Sequence, residues 1–208
     1  MPNFIALDIA LIPDEDHFVK LEKWNKSLFE NGKTGYLFND NHIPHLTLFQ
    51  NFILEEQLDN LKKDLLDLPT PKEICELLPV DFSRNAHKDD ISVVMLNFVK
   101  SLELLNTQKR IHHIFEKYSK HPNLEDALSA FNNKTNPEAA SWIQNFATKA
   151  SLDKYSPHIT LGFSNLDISS LKKWQALPNK WRFSKIVLSQ MGNYCSLSKN
   201  TYWEKRLG

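Results

Sequence analysis

The sequence predicts a fold that mixes helices and strands around a duplicated unit. Three observations lead there. Apolar residues recur at strand spacing and at helical spacing in alternating stretches along the chain. One five-residue string, Pro-His-aliphatic-Thr-Leu, occurs twice, at 44–48 and at 157–161. Glycine is scarce, five in all, and neither GxGxxG nor GxxxxGKS/T is present, which excludes the phosphate cradles of parallel nucleotide-binding folds.

Length and composition narrow the class. At 208 residues the chain predicts one large domain or two small lobes built together, and 1–208 is read as a single unit. Hydrophobic residues at 41% and charged residues at 24% are those of an ordinary globular protein, and exclude disorder of the whole chain. Lys+Arg and Asp+Glu number 25 each, which argues against a strongly basic, non-specific nucleic-acid binder. The balance conceals an asymmetry. Residues 151–208 carry nine Lys/Arg against three Asp/Glu, leaving sixteen against twenty-two in 1–150. The C-terminal third could offer a positive field to an anionic ligand, and a solvated basic face is the reading that the charge run alone favours. Cys75 and Cys195 form no CxxC and no disulfide framework, as expected of a reducing, cytoplasmic compartment. No stretch approaches about 18 apolar residues, so no membrane association is expected.

Each element has its own warrant. Phe4–Ile12 is an apolar strand stopped by Pro13; it contains Asp8 and lacks a basic leader, so it is not read as a signal peptide. Asp14–Asp16 precede a helix over His17–Glu30, with Phe18, Leu21, Trp24 and Leu28 at helical spacing and Asn31-Gly32 as its stop. His45–Ile53 is a strand. Glu55–Leu68 is a helix ended by Pro69 and Pro71. Strands follow at Ile74–Phe82 and Ile91–Phe98, joined by polar Arg84–Asp90. Ser101 caps a helix through Tyr118, and 121–138 is a polar, Asn-rich surface excursion. Helices over Pro137–Ala150 and Ile168–Leu177 flank a strand at His158–Phe163; strands at Trp181–Ser189 and Thr201–Lys205 close the chain.

The repeat carries the chemistry. Side chains at i and i+2 of a strand share a face. His45 and Thr47 therefore project together, with Leu46 and Leu48 behind them; His158 and Thr160 do the same, backed by Ile159 and Leu161. Two strands side by side about a pseudo-twofold would bring two imidazoles and two hydroxyls to one groove. Imidazoles near pKa ~6.5 serve as base and acid at neutral pH. Hydroxyls donate to phosphate oxygens. An in-line displacement at phosphorus needs those groups and no metal or cofactor.

Paired HxT motifs on duplicated strands resemble the two-histidine phosphoesterase superfamily, which includes RNA 2′,5′-ligase-like proteins and cyclic nucleotide phosphodiesterases. The resemblance implies a bilobal α+β fold, with antiparallel sheets lining a central groove and helices outside. It implies a metal-independent phosphodiesterase acting on a nucleotide or RNA end, either a 2′,3′-cyclic phosphate or a 2′,5′-phosphodiester. His45 and His158 would be the catalytic pair, and Thr47 and Thr160 would bind the phosphate. The alternatives are an RNA 2′,5′-ligase and a nucleotide- or RNA-end-binding module without turnover. Ligase-like members often continue the second motif as PHxTLxR; here that place holds Phe163, which argues against the ligase-like subgroup. Phe49, Tyr155 and Tyr194 are candidates to stack on a base, and Lys154 and Arg182 to contact phosphate. Trp142 is expected on a helix face in the core. His42, three residues before His45, is a loop residue, since Pro44 prevents a regular helix and no third metal ligand is near. His112 and His113 diverge around their helix, with solvent or edge packing expected. A monomer without an obligate protein partner is expected.

Overall fold

The computed structural model describes residues 3–32, 34–86, 91–131, 137–165, 177–192 and 195–208. The fold is α+β, and every strand pairing among the described residues is antiparallel. Strand β1 (Phe4–Pro13) is followed by α1 (Glu15–Gly32), capped by Asp14, whose carboxylate accepts the His17 amide at 3.0 Å. Leu21, Trp24 and Leu28 fill the buried face of α1. Next come β2 (Leu46–Leu54), α2 (Leu58–Leu66), β3 (Glu76–Leu77), β4 (Pro79–Ala86) and β5 (Ser92–Phe98). Helix α3 (Leu102–Glu116) starts at Ser101, whose hydroxyl accepts the Leu104 amide at 3.2 Å. Helices α4 (Leu124–Ser129), α5 (Pro137–Gln144) and α6 (Phe146–Lys149) lead to β6 (His158–Ser164), β7 (Trp181–Met191) and β8 (Leu197–Arg206). None of the described helices is long and apolar enough to cross a membrane.

The strand order is β3-β7-β1-β2-β6-β5-β4, with β8 also on β7. Strands β3 and β4 end that order on opposite sides, yet only Leu78 separates them in the chain. The sheet therefore curls until its ends meet. The single strand expected over Ile74–Phe82 is split accordingly. Lys72–Cys75 is a 3-10 turn, and Pro79, which has no N–H to donate, ends the ladder on β7 and starts β4. Strand β4 then runs through Arg84–Ala86, expected as a connection, because Arg84 ties it to Ser92 of β5 at 3.0 Å. The helix expected over Pro137–Ala150 breaks at Asn145 into α5 and α6. The helix expected at Ile168–Leu177 lies, up to residue 176, outside the described residues.

The main core lies between α1, α2 and α3 and the strands, and Trp181 at its centre is fully buried against His17 and Trp24. A second cluster packs Ala127, Ala130 and Phe131 onto Phe52 and Ala6. Much of the stretch expected as a surface excursion thus covers the back of β1 and β2.

Both motif strands carry the same irregularity. On β1–β2 the register passes from Ala10↔Thr47 to Ile9↔Phe49, leaving Leu48 as the extra residue. On β5–β6 it passes from Met95↔Thr160 to Val94↔Gly162, leaving Leu161. Each copy of the repeat thus ends in a β-bulge at its closing Leu, an independent mark of duplication. Side chains from elsewhere satisfy carbonyls freed near both bulges. Tyr155 donates its hydroxyl to the Thr47 carbonyl at 2.9 Å, and Asn25 of α1 donates its amide to the Leu161 carbonyl at 2.8 Å. Gly162, at φ +137°, lets Asn25 come this close; a Cβ there would lie 3.2 Å from the Asn25 amide nitrogen.

Asn25 is a buried junction. Its amide also donates to the Tyr36 carbonyl at 3.0 Å, and its oxygen accepts the Phe38 amide at 2.8 Å. One side chain thereby joins α1, the bulge of β6 and the segment leading into the first motif. Replacing Asn25 with Ala strands two carbonyls and one amide, and should cost about 3 kcal/mol. Urea unfolding should show a lower midpoint at unchanged slope. A loss below ~1 kcal/mol would mean that other contacts hold the segment.

Candidate active site

Strands β2 and β6 pair through one residue pair among the described residues, Leu46↔Ile159. In an antiparallel register, one partner's number falls as the other's rises. His45 therefore stands opposite Thr160, and Thr47 opposite His158, and residues directly opposite share a face. Leu46 and Ile159 are fully buried on the other face. All four polar residues line one cavity of about 810 Å³.

The two imidazoles are held in the same way. His45 Nδ1 lies 2.6 Å from the Ile43 carbonyl, and His158 Nδ1 lies 2.8 Å from the Ser156 carbonyl, each two residues back. A carbonyl only accepts, so each Nδ1 carries hydrogen and each Nε2 is left for chemistry. This shared tautomer is a property of the repeat.

Their surroundings differ. Asp8 of β1 is fully buried, and its Oδ2 accepts from the Thr47 hydroxyl at 2.9 Å and from the Gln50 amide at 2.8 Å. The same oxygen lies 3.5 Å from His45 Nε2. Burial disfavours the His45 imidazolium, but the Asp8 carboxylate and the Ile43 carbonyl outweigh it and raise its pKa above the ordinary value. Burial lowers the His158 pKa more than the Ser156 carbonyl restores it, and the nearby His45 lowers it further. The motifs themselves gave no hint of Asp8. The available signal was an acid in the middle of a ten-residue apolar strand.

The bulges decide which later residues reach the groove. The extra residue at 48 shifts the alternation by one, so Gln50 lines the cavity, and likewise Phe163 on β6. Phe49, expected on the groove face by strict alternation, is instead fully buried against His112, Phe115 and Phe146. Tyr155 borders the cavity but is also buried, its hydroxyl spent on Thr47. Tyr194 lies outside the described residues. His112 is buried beside Ser151 rather than solvated, whereas His113 is exposed.

An aromatic wall stands in the cavity, of which only Phe163, beside the second motif, is open to the sequence as a platform for a base, with packing the favoured reading. Tyr36 stacks on His42 with centroids 4.4 Å apart, and meets Phe163 edge-on at 5.9 Å; Phe38 stands beside it. All four line the cavity, as does Trp142 of α5, which is exposed rather than in the core as helical spacing suggests. The wall draws on a segment without periodicity, where pattern gives no signal. Lys154 reaches the cavity rim, while Arg182 is paired with Asp14. Lys180 is likewise paired with Glu76, and Lys185 with Glu204, so among the described residues acids outside the C-terminal third match only Lys180 and Arg182 of its charge excess. Among the described residues no three His, Cys, Asp or Glu side chains gather as a metal-ligand group.

No family model matches the sequence, and no curated protein matches it. The fold does have solved counterparts. Escherichia coli LigT complexed with phosphate superposes with a TM-score of 0.53 at 12% identity, over 99% of this chain and 98% of that one. TT0787 of Thermus thermophilus superposes with a TM-score of 0.51 at 17% identity, over 98% of both chains. The α+β fold implied by the two-histidine resemblance is the fold that these comparisons show for this chain.

Proposed function

We propose that this protein is a two-histidine phosphodiesterase acting on a nucleotide or an RNA end, with 2′,3′-cyclic phosphates or 2′,5′-phosphodiesters as substrates. The observation that carries the reading is the Leu46↔Ile159 register, which sets a His and a Thr from each half across one groove. The likeness in fold to LigT, whose structures include complexes with phosphate and with 3′-AMP, supports it. In the reaction one imidazole takes a proton from water or a ribose hydroxyl. The other gives a proton to the leaving oxygen, and both use Nε2. The phosphoryl group sits between them. Thr160 is the better placed donor to its oxygens, because no protein group engages its hydroxyl among the described residues, whereas Thr47 already donates to Asp8. The aromatic wall of Tyr36, His42 and Phe163 offers π-faces for a base.

Turnover of 2′,3′-cyclic mononucleotides, a 2′,5′-linked oligoadenylate or an RNA with a terminal cyclic phosphate should survive EDTA. Either His45→Ala or His158→Ala should lower it by roughly 10²–10⁴-fold. Thermal protection by a nucleotide without turnover would replace the enzyme by a binding module. Turnover indifferent to both substitutions would remove the repeat from the chemistry.

The two threonines should separate. Thr160→Val should lower kcat by roughly 10–100-fold, through a lost transition-state hydrogen bond, and leave stability within about 0.5 kcal/mol. Thr47→Val should also destabilise, by about 1–3 kcal/mol, because buried Asp8 loses a donor. Paired kinetics and urea melts check both; equal stability losses would contradict the distinction.

A further inference from the structure

Resting on that reading, we propose that Asp8 is a positioning residue that makes His45 the general acid and leaves His158 as the general base, so that the duplicated groove works in one direction. The repeat alone is symmetric and assigns neither role. The asymmetry lies one strand away. Gln50 and Phe163 each sit three residues after their motif Thr, and their partners across the ladder are Asp8 and Val93. At equivalent places, one half thus holds a carboxylate and an amide, and the other holds two apolar side chains.

The geometry around Asp8 is built for one oxygen. Thr47 and Gln50 both donate to Oδ2, and Oδ1 is buried without a hydrogen-bond partner among the described residues. Two neutral donors hold Oδ2 in place beneath His45 Nε2. At 3.5 Å the contact is longer than a good hydrogen bond, about 2.7–3.2 Å. It is near enough for the carboxylate to stabilise an imidazolium, and loose enough for the Nε2 proton to remain available. No carboxylate pairs with His158 among the described residues. Tyr155 and Cys195 are raised by burial and by Asp8, Cys195 to about 12, and stay neutral; Tyr36 is raised by burial, and His42 is lowered by it. The other charged side chains of the cavity are Glu138 on α5, Lys149 on α6 and Lys154 in the 3-10 turn Leu152–Lys154, and none of them pairs with His158 among the described residues.

His158 Nε2 takes the proton of the attacking hydroxyl, the new P–O bond forms, and the bond to the leaving oxygen breaks. That oxygen receives the Nε2 proton of His45. The pair ends with His158 protonated and His45 neutral, and solvent restores both. Activity should therefore rise with pH as His158 loses its proton, at a pH below the ordinary imidazole value. It should fall as His45 loses its own, above that value.

Asp8→Asn, close in shape and without charge, tests this. The alkaline limb of the pH–kcat profile should move down by about one pH unit, further than the acid limb moves. An unmoved alkaline limb, or an acid limb that moves further than the alkaline one, would overturn the proposal while leaving two-histidine catalysis standing. A pair of substrates sharing one nucleoside phosphate separates the roles without touching Asp8. One releases an alcohol, and the other releases 4-nitrophenolate, which needs no proton. His45→Ala should recover most of its loss on the nitrophenyl ester, and His158→Ala should not; the opposite pattern overturns the assignment. If neither substrate turns over, or Asp8→Asn does not fold, NMR titration of the wild-type imidazoles decides. His45 should titrate above His158, and the reverse order would refute the role given to Asp8.

Discussion

The site depends on a contact one residue pair long. Leu46 and Ile159 bring β2 and β6 together, and the facing of the two His–Thr pairs follows from their register. A strand has a side-chain period of two, so a slip by one residue would send the His and Thr of one strand into the core and its aliphatic residues into the groove. The slip is opposed on each side by long ladders, β1 on β2 and β5 on β6, each pinned by its own bulge. Two well-registered halves thus impose a register on a junction too short to define one itself.

Duplication gives the groove a symmetric frame, and its two halves depart from that symmetry around the histidines. The shared parts are the Nδ1-to-carbonyl lock on each histidine, the Thr two residues on, and the bulge after it. The divergent parts stand around them: Asp8 and Gln50 in one half, Val93 and Phe163 in the other. Buried charge is costly unless hydrogen-bonded. A carboxylate in a strand as apolar as β1 is accordingly accompanied by donors from β2.

How much of this could be read from the sequence follows the range of each signal. The repeat, the i, i+2 projection and the apolar backing are local, and they located the four groove residues directly. Most elements were equally readable from period and caps, as with Ser101 and α3. Failures occurred where a long-range fact intervenes. Phe49 went to the core because a bulge changed the parity after Thr47, and nothing in the residues themselves announces a bulge. Pro79 was visible, but not that it would send β3 and β4 to opposite ends of the sheet. Asp8 was visible too, and only its pairing with Gln50 across the ladder gives it a meaning.

Phe163 ties the second half of the groove to the segment that leads into the first motif. Its position points into the groove because of the bulge at Leu161, and its phenyl ring receives that segment. Gly35, at φ +89°, passes so near that a Cβ would lie 3.1 Å from the Phe163 Cβ, and Tyr36 then meets the ring edge-on. Asn25 fixes the same segment from the other side through the Tyr36 carbonyl and the Phe38 amide. Its far end is held by the Ile43 amide on the Leu197 carbonyl at 3.0 Å, and the Ile43 carbonyl in turn orients His45. The aromatic wall and the ring lock of the first histidine are therefore parts of one tethered segment. A change that frees the wall would also loosen the imidazole of His45, so the aromatic wall and the first histidine are mechanically joined in this groove.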